Sequence, residues 1–366
     1  MTDSGFNIIK FLKSAVATGA SDEHLKVGHP PYLRKNGFIM KTNMPNLSKE
    51  DLDRAILEIA PSAIKNDILS LCDLDFMYEI DGFSRFRINY NRQIGMPSLV
   101  IRNISYNISK LKDLSLPEIL HSIVEAPNGI VLVTGPTGSG KSTTIASLID
   151  YINMTSQKHI ITIEDPIEYI FNCKRSIVSQ RQIGVDTKSF ADGIKYSLRQ
   201  DPDVIFIGEI RDKETMEAAL KAAETGHLVL STLHTNDAIQ TINRVINMFD
   251  ESNRYIIRKQ LAETLRATIA QKLVYSEKEK KRFPVCEIMV VTSTIKDYIN
   301  KDNTDEIYSL INDNTIDNMI SLNLSLAELV HKGAITEEEA LEQSNDTPEL
   351  EKIFRGVYNG TKAYYE

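Results

Sequence analysis

Tryptophan is absent from this sequence, and cysteine occurs only three times in 366 residues. Cys72, Cys173 and Cys286 show neither C-x-x-C spacing nor an obvious pairing, which argues against a disulfide framework. Scattered, unpaired cysteines are typical of a protein that is kept in a reducing compartment. We therefore expect reduced, buried thiols in a cytosolic protein.

Long apolar runs and an excess of positive charge are also lacking. No apolar stretch approaches the ~20 residues that are needed to cross a bilayer, and the first residues show no secretory signal. The formal net charge is −8 and the pI is near 5.5, so no strong basic field is available for a nucleic-acid backbone. The basic cluster at 278–282 is interleaved with glutamates and is typical of an exposed loop. We expect neither nucleic-acid binding nor direct membrane insertion.

What the sequence does have is enough length and apolar content, 42%, for two domains. We predict a small N-terminal α/β domain over 1–112 and a short polar hinge at 113–117 that ends in a proline. A larger domain is predicted over 118–366, with a helical C-terminal part from about residue 252.

Sequence patterns in the small domain predict two helices and a pair of strands. Helices are predicted at 6–18 and 48–59, and the second begins with the capping hydroxyl of Ser48. Two alternating strands at 76–80 and 84–90 flank the turn Asp81-Gly82, which predicts a β-hairpin.

The larger domain alternates buried apolar runs with helical segments, which is typical of a parallel sheet with crossover helices. Near-continuous apolar runs suit a sheet that is covered on both faces. The predicted strands lie at 130–134, 160–163, 204–207 and 228–232. Further on, we predict helices at 255–273 and 322–331 and a capping box at 336–339. The chain is assigned to the α/β class.

The strand at 130–134 runs into the motif G-x-x-x-x-G-K-[ST], which is matched at every required position. Glycines let a backbone wrap closely around a polyphosphate, and successive N–H groups and the positive end of the following helix then face its oxygens. Lys141 is suited to reach the β- and γ-phosphates, and the Ser142 hydroxyl to bind Mg²⁺. The predicted nucleotide-binding residues are Gly135, Pro136, Thr137, Gly138, Ser139, Gly140, Lys141, Ser142 and Thr143.

Carboxylates follow the next two strands, at the edge where ligands bind in open parallel sheets. Glu164 follows the strand at 160–163, and Glu209 follows the strand at 204–207 after Gly208. Either carboxylate can orient or deprotonate the water that attacks the γ-phosphate. Glu209 is also suited to hold Mg²⁺ through a coordinated water. Which of the two is the general base stays open from the sequence.

Two histidines bracket the strand at 228–232. Seven residues of extended chain span about 23 Å, so His227 and His234 lie at opposite ends of it and do not share a metal. His234 is the candidate to contact the γ-phosphate, and His227 is a candidate for a subunit contact. Several arginines are candidates to contact phosphate in trans or to act as sensors, and these are Arg85, Arg87, Arg92, Arg102, Arg199 and Arg211.

Taken together, these motifs resemble the type IV pilus retraction branch of the secretion ATPase superfamily. Besides the phosphate loop, the matching segments are an acidic box at 163–169, an atypical Walker B strand at 201–212, a His box at 225–238 and small-domain signatures at 19–22 and 28–31. The resemblance covers essentially the whole chain.

The resemblance implies a RecA-like P-loop NTPase core with a small PAS-like N-terminal domain and a helical C-terminal region. It also implies a homo-hexameric ring that hydrolyses ATP with Mg²⁺, in which arginines such as Arg87 or Arg92 reach the nucleotide. Such a motor acts on the inner-membrane platform protein to withdraw the pilus in twitching motility. It is expected in the cytoplasm, held at the inner membrane face by its partners.

Two departures bear on these expectations. Family members carry the segment Ala-Ile-Arg-Asn-Leu-Ile-Arg-Glu, which is important for retraction, whereas residues 294–301 keep its shape and lose both arginines. The extra N-terminal region and the four-cysteine zinc insertion of the assembly ATPases are not seen, which favours the retraction branch or its accessory paralogue. The alternatives are an accessory ATPase beside a paralogue, a low-turnover nucleotide-dependent regulator and a nucleic-acid translocase.

Overall fold

The computed structural model describes residues 5–35, 37–62, 64–104, 108–312 and 318–356. Contacts divide the chain into two compact units, Met1–Asn107 and Ile108–Glu366. Each unit has its own β-sheet and its own hydrophobic core. Leu111 and Leu116 pack in a core of the second unit, and a hinge at 113–117 stays a prediction.

The first unit is a six-stranded antiparallel sheet with two helices packed on one face. In chain order its elements are α1 (Ile8–Thr18), β1 (Asp22–Lys26), β2 (Tyr32–Lys35), β3 (Phe38–Lys41), α2 (Lys49–Ile59), β4 (Asp73–Ile80), β5 (Ser84–Gln93) and β6 (Met96–Ile104). The strands lie in the spatial order β3-β2-β1-β6-β5-β4.

Local sequence accounts for the elements that were predicted in this unit. Helix α2 begins at a capping box, in which Ser48 Oγ accepts from the Asp51 amide and the Asp51 carboxylate accepts from the Ser48 amide. Strand β5 buries Phe86, Ile88 and Tyr90 from alternate positions, as a half-buried strand must. Both predicted helices and the β4–β5 hairpin are confirmed.

The second unit contains a seven-stranded sheet in the order β13-β12-β7-β11-β10-β8-β9. In chain order the elements are α3 (Ile119–Val124), β7 (Gly129–Thr134), α4 (Lys141–Thr155), β8 (His159–Glu164), β9 (Ile177–Gln182), α5 (Phe190–Ser197), β10 (Val204–Ile207), α6 (Lys213–Glu224), β11 (Leu228–Leu233), α7 (Ala238–Asn247), α8 (Glu251–Thr264), β12 (Leu265–Ser276), β13 (Lys281–Val290), α9 (Ser293–Asn300), α10 (Ile307–Asn312), α11 (Leu322–His331), α12 (Glu337–Gln343) and α13 (Thr347–Phe354). Every neighbouring pair is parallel except β12 and β13.

Both faces of this sheet are covered, as the apolar runs indicate. One core joins strand residues to Ile194, Met216 and Ile242 of α5, α6 and α7. The other joins them to Ile145 and Leu148 of α4 and to Leu120 of α3. The four predicted strands and the α/β class are confirmed.

One predicted helix is partly wrong. The segment predicted as a helix over 255–273 is helical only to Thr264, and Leu265–Ser276 is strand β12. Leu265, Ile269 and Leu273 are spaced four residues apart, and this spacing is typical of a helix although the segment is a strand. The strand forms because it pairs with β7 on one side and with β13 on the other.

The expectation of three buried thiols is also wrong in part. All three cysteines are free, but Cys72 and Cys173 are exposed and only Cys286 is buried. Cys72 precedes β4 and Cys173 lies in the connection between β8 and β9, so neither belongs to a core-facing element. Across the described part of the chain, no helix has the length and apolar character required to cross a membrane.

Candidate active site

Most of the catalytic and nucleotide-binding residues predicted in the second unit lie at one edge of its sheet. The register pairs Ile207 with Ile163 and with Ser231, and Leu233 with Thr134, so the carboxyl ends of β7, β8, β10 and β11 lie side by side. The segments that leave this edge contain the phosphate loop, Glu164, Glu209 and His234.

The phosphate loop has the conformation that anion binding requires. Gly135, Gly138 and Gly140 have φ values of 142°, 81° and 90°, which residues with a side chain rarely adopt. Gly140 is the N-cap of α4, and no side chain caps the helix. Pro136, Thr137 and Gly138 are exposed. The first N–H groups of α4 and the positive end of its dipole are thus available to a phosphate at this point.

Lys141 begins α4 and lies within the loop. Its side chain is 8% exposed, and its Nζ donates to the carbonyl oxygens of Gly135 at 2.7 Å and Pro136 at 2.9 Å. Burial lowers the pKa of the ammonium, while the negative charges of Glu168 and Glu209 act to raise it. The two carboxylates therefore lie close enough to favour a cation at Lys141.

The next two residues of the helix are half-buried. The Thr143 hydroxyl is 2.9 Å from the Tyr169 hydroxyl, which links the first turn of α4 to the segment after β8. Ser142 is on the same turn. Its hydroxyl oxygen is a hard donor of the kind that Mg²⁺ takes beside phosphate oxygens.

Glu164 is the last residue of β8 and is 5% exposed. Its Oε1 accepts from Thr162 Oγ1 at 2.7 Å and from Gln180 Nε2 at 3.2 Å, and its Oε2 accepts from the Glu168 amide at 3.3 Å. Burial raises the pKa of this carboxyl to about 7, although the hydrogen bonds act in the opposite direction. Such a group exchanges a proton near neutral pH.

Glu209 follows β10 and lies beside an arginine and a histidine. Its Oε1 lies 2.7 Å from the Arg211 guanidinium, and its Oε2 lies 3.5 Å from His234 Nε2. The backbone N–H of Gly208 donates to the Ile163 carbonyl at 2.8 Å. The segment after β10 thus lies against the end of β8.

Other predicted residues lie elsewhere. His227 precedes β11, and its Nδ1 lies 2.9 Å from the Ala222 carbonyl at the amino edge, so the prediction that His227 and His234 are at opposite ends is confirmed. Arg199 is exposed after α5, beside Gln200, whose carbonyl lies 2.9 Å from His159 Nδ1 at the amino end of β8. Within this chain, Arg199 is therefore remote from the phosphate loop. Arg211 is the predicted arginine at the carboxyl edge.

The predicted arginines of the first unit lie on two strands: Arg85, Arg87 and Arg92 on β5, and Arg102 on β6. Arg87 is 3.5 Å from Asp75, and Arg92 donates to the Gly95 carbonyl at 2.8 Å. Arg102 pairs with Asp22 at 3.0 Å. A contact of these arginines with nucleotide stays a prediction.

Three residues that hold this edge together were missed. Gln180 of β9 binds Glu164 and also donates to the Tyr169 carbonyl at 2.8 Å. Tyr169 contacts Thr143 as described. Gln271 of β12 contacts the loop at Ser139 and the helix at Thr144. Tyr169 lies in the acidic box at 163–169 but was given no role. No motif indicated Gln180 or Gln271, since their roles depend on strands β9 and β12, whose pairing the sequence does not show.

A glycine-rich loop between a buried parallel strand and an uncapped helix, with acids after neighbouring strands, defines a P-loop nucleoside triphosphatase. The family model described as Type II/IV secretion system protein matches residues 82–345. The chain belongs to this family.

Individual relatives agree over nearly the full length. The type IV pilus retraction ATPase PilT of Pseudomonas aeruginosa is 39% identical over 342 residues, which cover 92% of this chain and 98% of the relative. The type IV pilus ATPase PilU of the same organism is 37% identical over 346 residues, which cover 94% of this chain and 91% of the relative. A crystal structure of the pilus retraction motor PilT with bound ADP matches with a TM-score of 0.87 and 42% identity, over 95% of this chain and 99% of that one. The chain is a PilT-like secretion ATPase that binds and hydrolyses ATP.

Proposed function

We propose that this protein is a homo-hexameric motor that hydrolyses ATP with Mg²⁺ to power retraction of a type IV pilus. The observation that carries the proposal is the likeness to the pilus retraction motor PilT over 95% of the chain. The phosphate loop and the carboxylates that lie beside it supply the chemistry that such a motor needs. The ring, in which N-terminal arginines reach the nucleotide and His227 contacts a neighbouring subunit, is part of this proposal.

Mg²⁺ fits the residues at the carboxyl edge. Over the ranges that the structure describes, no group of three or more His, Cys, Asp or Glu side chains is placed to hold a metal. Mg²⁺ in nucleotide sites needs less, because it keeps several waters and takes phosphate oxygens and one or two protein oxygens. The Ser142 hydroxyl and, through a water, the Glu209 carboxylate would supply these. When bound, the ion would neutralise charge on the β- and γ-phosphates.

Glu164 is proposed as the general base. It stands at the tip of β8, its pKa is raised to about 7 by burial, and no cation is paired with it among the described residues. Glu209, by contrast, is held in an ion pair with Arg211 at 2.7 Å. We propose that Glu164 takes the proton of the attacking water and that Glu209 faces the metal.

Lys141 and the N–H groups of α4 would hold the phosphates, and His234 would contact the γ-phosphate. His234 is half-exposed and lies 3.5 Å from Glu209, so it can report the state of the metal site. Hydrolysis is proposed to move the two units about a hinge at 113–117. The partner would be the inner-membrane platform protein of the pilus machine, which would hold this cytoplasmic motor at the membrane.

A purified-protein assay and a cell assay test this proposal. The protein with Mg²⁺ and ATP should release phosphate, and deletion of its gene should leave fluorescently labelled pili that extend and never withdraw. Phosphate release without any effect of the deletion on withdrawal would contradict the retraction role and leave the ATPase in place. Stimulation by single-stranded DNA that falls steeply with salt would instead support a translocase.

A second candidate function is that of an accessory ATPase in the same machine. The 37% identity to PilU is close to the 39% identity to PilT, and residues 294–301 lack both arginines of the retraction segment. An accessory protein would support withdrawal only when a paralogue is present. Expression of this protein alone in cells that lack both ATPases separates the two: restored withdrawal supports the motor, and no withdrawal supports the accessory role.

A further inference from the structure

Strand β12 places one buried amide directly beside the phosphate loop. β12 pairs in parallel with β7, and the last partners in the register are Ala270 and Thr134. The next residue along β12 is Gln271, and the next along β7 is Gly135, where the loop begins. Gln271 is 2% exposed.

The Gln271 side chain joins the phosphate loop to the first turn of α4. Its Nε2 donates to the Ser139 carbonyl in the loop at 2.7 Å. Its Oε1 accepts from the Thr144 hydroxyl in the first turn of α4 at 2.7 Å. Both partners are buried, so neither bond is replaced by water at low cost.

Two glycines of the motif also lie directly against Gln271. A Cβ at Gly135 would lie 2.2 Å from the Gln271 carbonyl oxygen, and a Cβ at Gly140 would lie 2.7 Å from its Nε2. The first and last glycines of the loop therefore need to lack side chains partly because the loop rests on Gln271. The backbone of β12 supports the start of the loop, and the amide supports its end.

We propose that Gln271 is a positioning residue that holds the phosphate loop against the first turn of α4 in the form that accepts nucleotide. An amide is the neutral side chain with a donor and an acceptor at one end, which matches one carbonyl and one hydroxyl. Shifting the loop by a fraction of an ångström would turn its N–H groups away from the phosphates, and catalytic sites are sensitive to such shifts. The inference rests on nucleotide binding at this loop.

The test compares Gln271→Glu with Thr268→Val. Glutamate keeps the shape of the side chain and removes the donor to Ser139, so two oxygens face each other. Thr268 is a fully buried residue of the same strand whose hydroxyl has no partner, and its neighbour in β7 is Leu132, away from the loop. Replacing it with the isosteric valine leaves the site intact.

We expect Gln271→Glu to weaken binding of a fluorescent ADP analogue by roughly ten-fold or more and to raise the KM for ATP more than it lowers kcat. We expect Thr268→Val to match the wild type. ADP with Mg²⁺ should raise the Tm of the wild type, as any ligand of the folded state does. This rise, measured from each protein's own Tm without ligand, should be much smaller in Gln271→Glu.

Wild-type affinity for ADP in a folded Gln271→Glu protein would overturn the inference. If that variant does not fold, Thr144→Val and Gln271→Met take its place: the double variant should lose no more affinity than the worse single variant, since both remove the same bridge. Additive losses would equally overturn it. A wild type that binds no nucleotide at all would instead remove the proposed function.

Discussion

The two edges of the parallel sheet carry similar polar residues and use them differently. At the amino edge, His159 is satisfied on both ring nitrogens, by the Gln200 carbonyl at 2.9 Å and by Ser179 Oγ at 3.0 Å. The Asp203 carboxylate accepts from the His159 amide at 2.8 Å, and the His227 Nδ1 lies 2.9 Å from the Ala222 carbonyl oxygen. These groups hold neighbouring strands and turns together.

At the carboxyl edge the polar groups lie at the same end of the sheet as an uncapped helix start. Three loop residues are exposed there, and Glu209 and His234 lie 3.5 Å apart at the same edge. His159 is thus structural, because both of its ring nitrogens have partners within the chain, whereas the His234 imidazole is half-exposed and lies beside the candidate catalytic residue Glu209. The comparison predicts which substitutions act on catalysis and which act on stability.

The largest expected effect is that of Lys141→Ala. Loss of the buried ammonium removes a cation that stabilises charge on the transferring phosphoryl group, and we expect the rate of ATP hydrolysis to fall about 100-fold or more. The measurement is phosphate release at saturating ATP and Mg²⁺. Lys174→Ala is the control, because Lys174 pairs with Asp150 farther along the same helix, at 2.6 Å; equal losses in the two variants would contradict the assignment.

Glu164→Gln should come next, with a distinctive pH dependence. Burial raises the pKa of Glu164 to about 7, and a general base must be deprotonated, so wild-type kcat should rise as the pH passes through about 7. We expect Glu164→Gln to lose about 100-fold or more in kcat and to lose this rise. Glu209→Gln, under the same conditions, should instead need a higher concentration of Mg²⁺.

The stability effect of the same shift has the opposite sign. The folded form keeps the Glu164 proton after the unfolded chain has released it, so its contribution to stability is largest below about pH 4.5 and decreases as the pH rises towards about 7. Glu164→Gln removes this decrease, which thermal unfolding at several pH values would show. An unchanged pH–rate profile in the variant would argue that Glu164 is not the base.

A smaller effect separates the two histidines that bracket β11. We expect His234→Asn to lower kcat about ten-fold through loss of its contact at the site, and His227→Asn to leave kcat of the assembled protein within a factor of about two. ATP hydrolysis and the oligomeric state of each variant are measured together. A larger loss of kcat in His227→Asn, with assembly intact, would reverse the interpretation of the two edges.

The smallest effect on catalysis should come from His159→Gln. Both ring nitrogens have partners, so the substitution should cost about 1–2 kcal/mol of stability while kcat is retained. Chemical denaturation and phosphate release on the same sample check this. Loss of activity without loss of stability would show that the amino edge has a catalytic role.

The sequence predicted the carboxyl edge well because its signals are local. The phosphate loop, the acids at the ends of two neighbouring strands, the capping hydroxyl of Ser48 and the capping box at Thr336 all lie within short segments, and the structure has them where they were predicted. The relative position of the two histidines followed from the rise of a strand alone.

The support around the site could not be predicted, because it depends on long-range pairing. Leu265–Ser276 has an apolar spacing that fits a helix as well as a strand, and only its pairing with β7 and β13 decides between them. Gln271 becomes important through that pairing. The exposure of Cys72 and Cys173 likewise depends on where the chain leaves the sheets, which composition does not reveal.

The most direct test of the central claim is a crystal structure of the protein with Mg²⁺ and a non-hydrolysable ATP analogue. The account predicts phosphates on the N–H groups at the start of α4, with Lys141 in contact with them, Ser142 on the metal, and Glu164 and Glu209 facing the γ-phosphate from the ends of adjacent strands. Nucleotide bound away from residues 135–143, or both carboxylates turned from it, would contradict the claim.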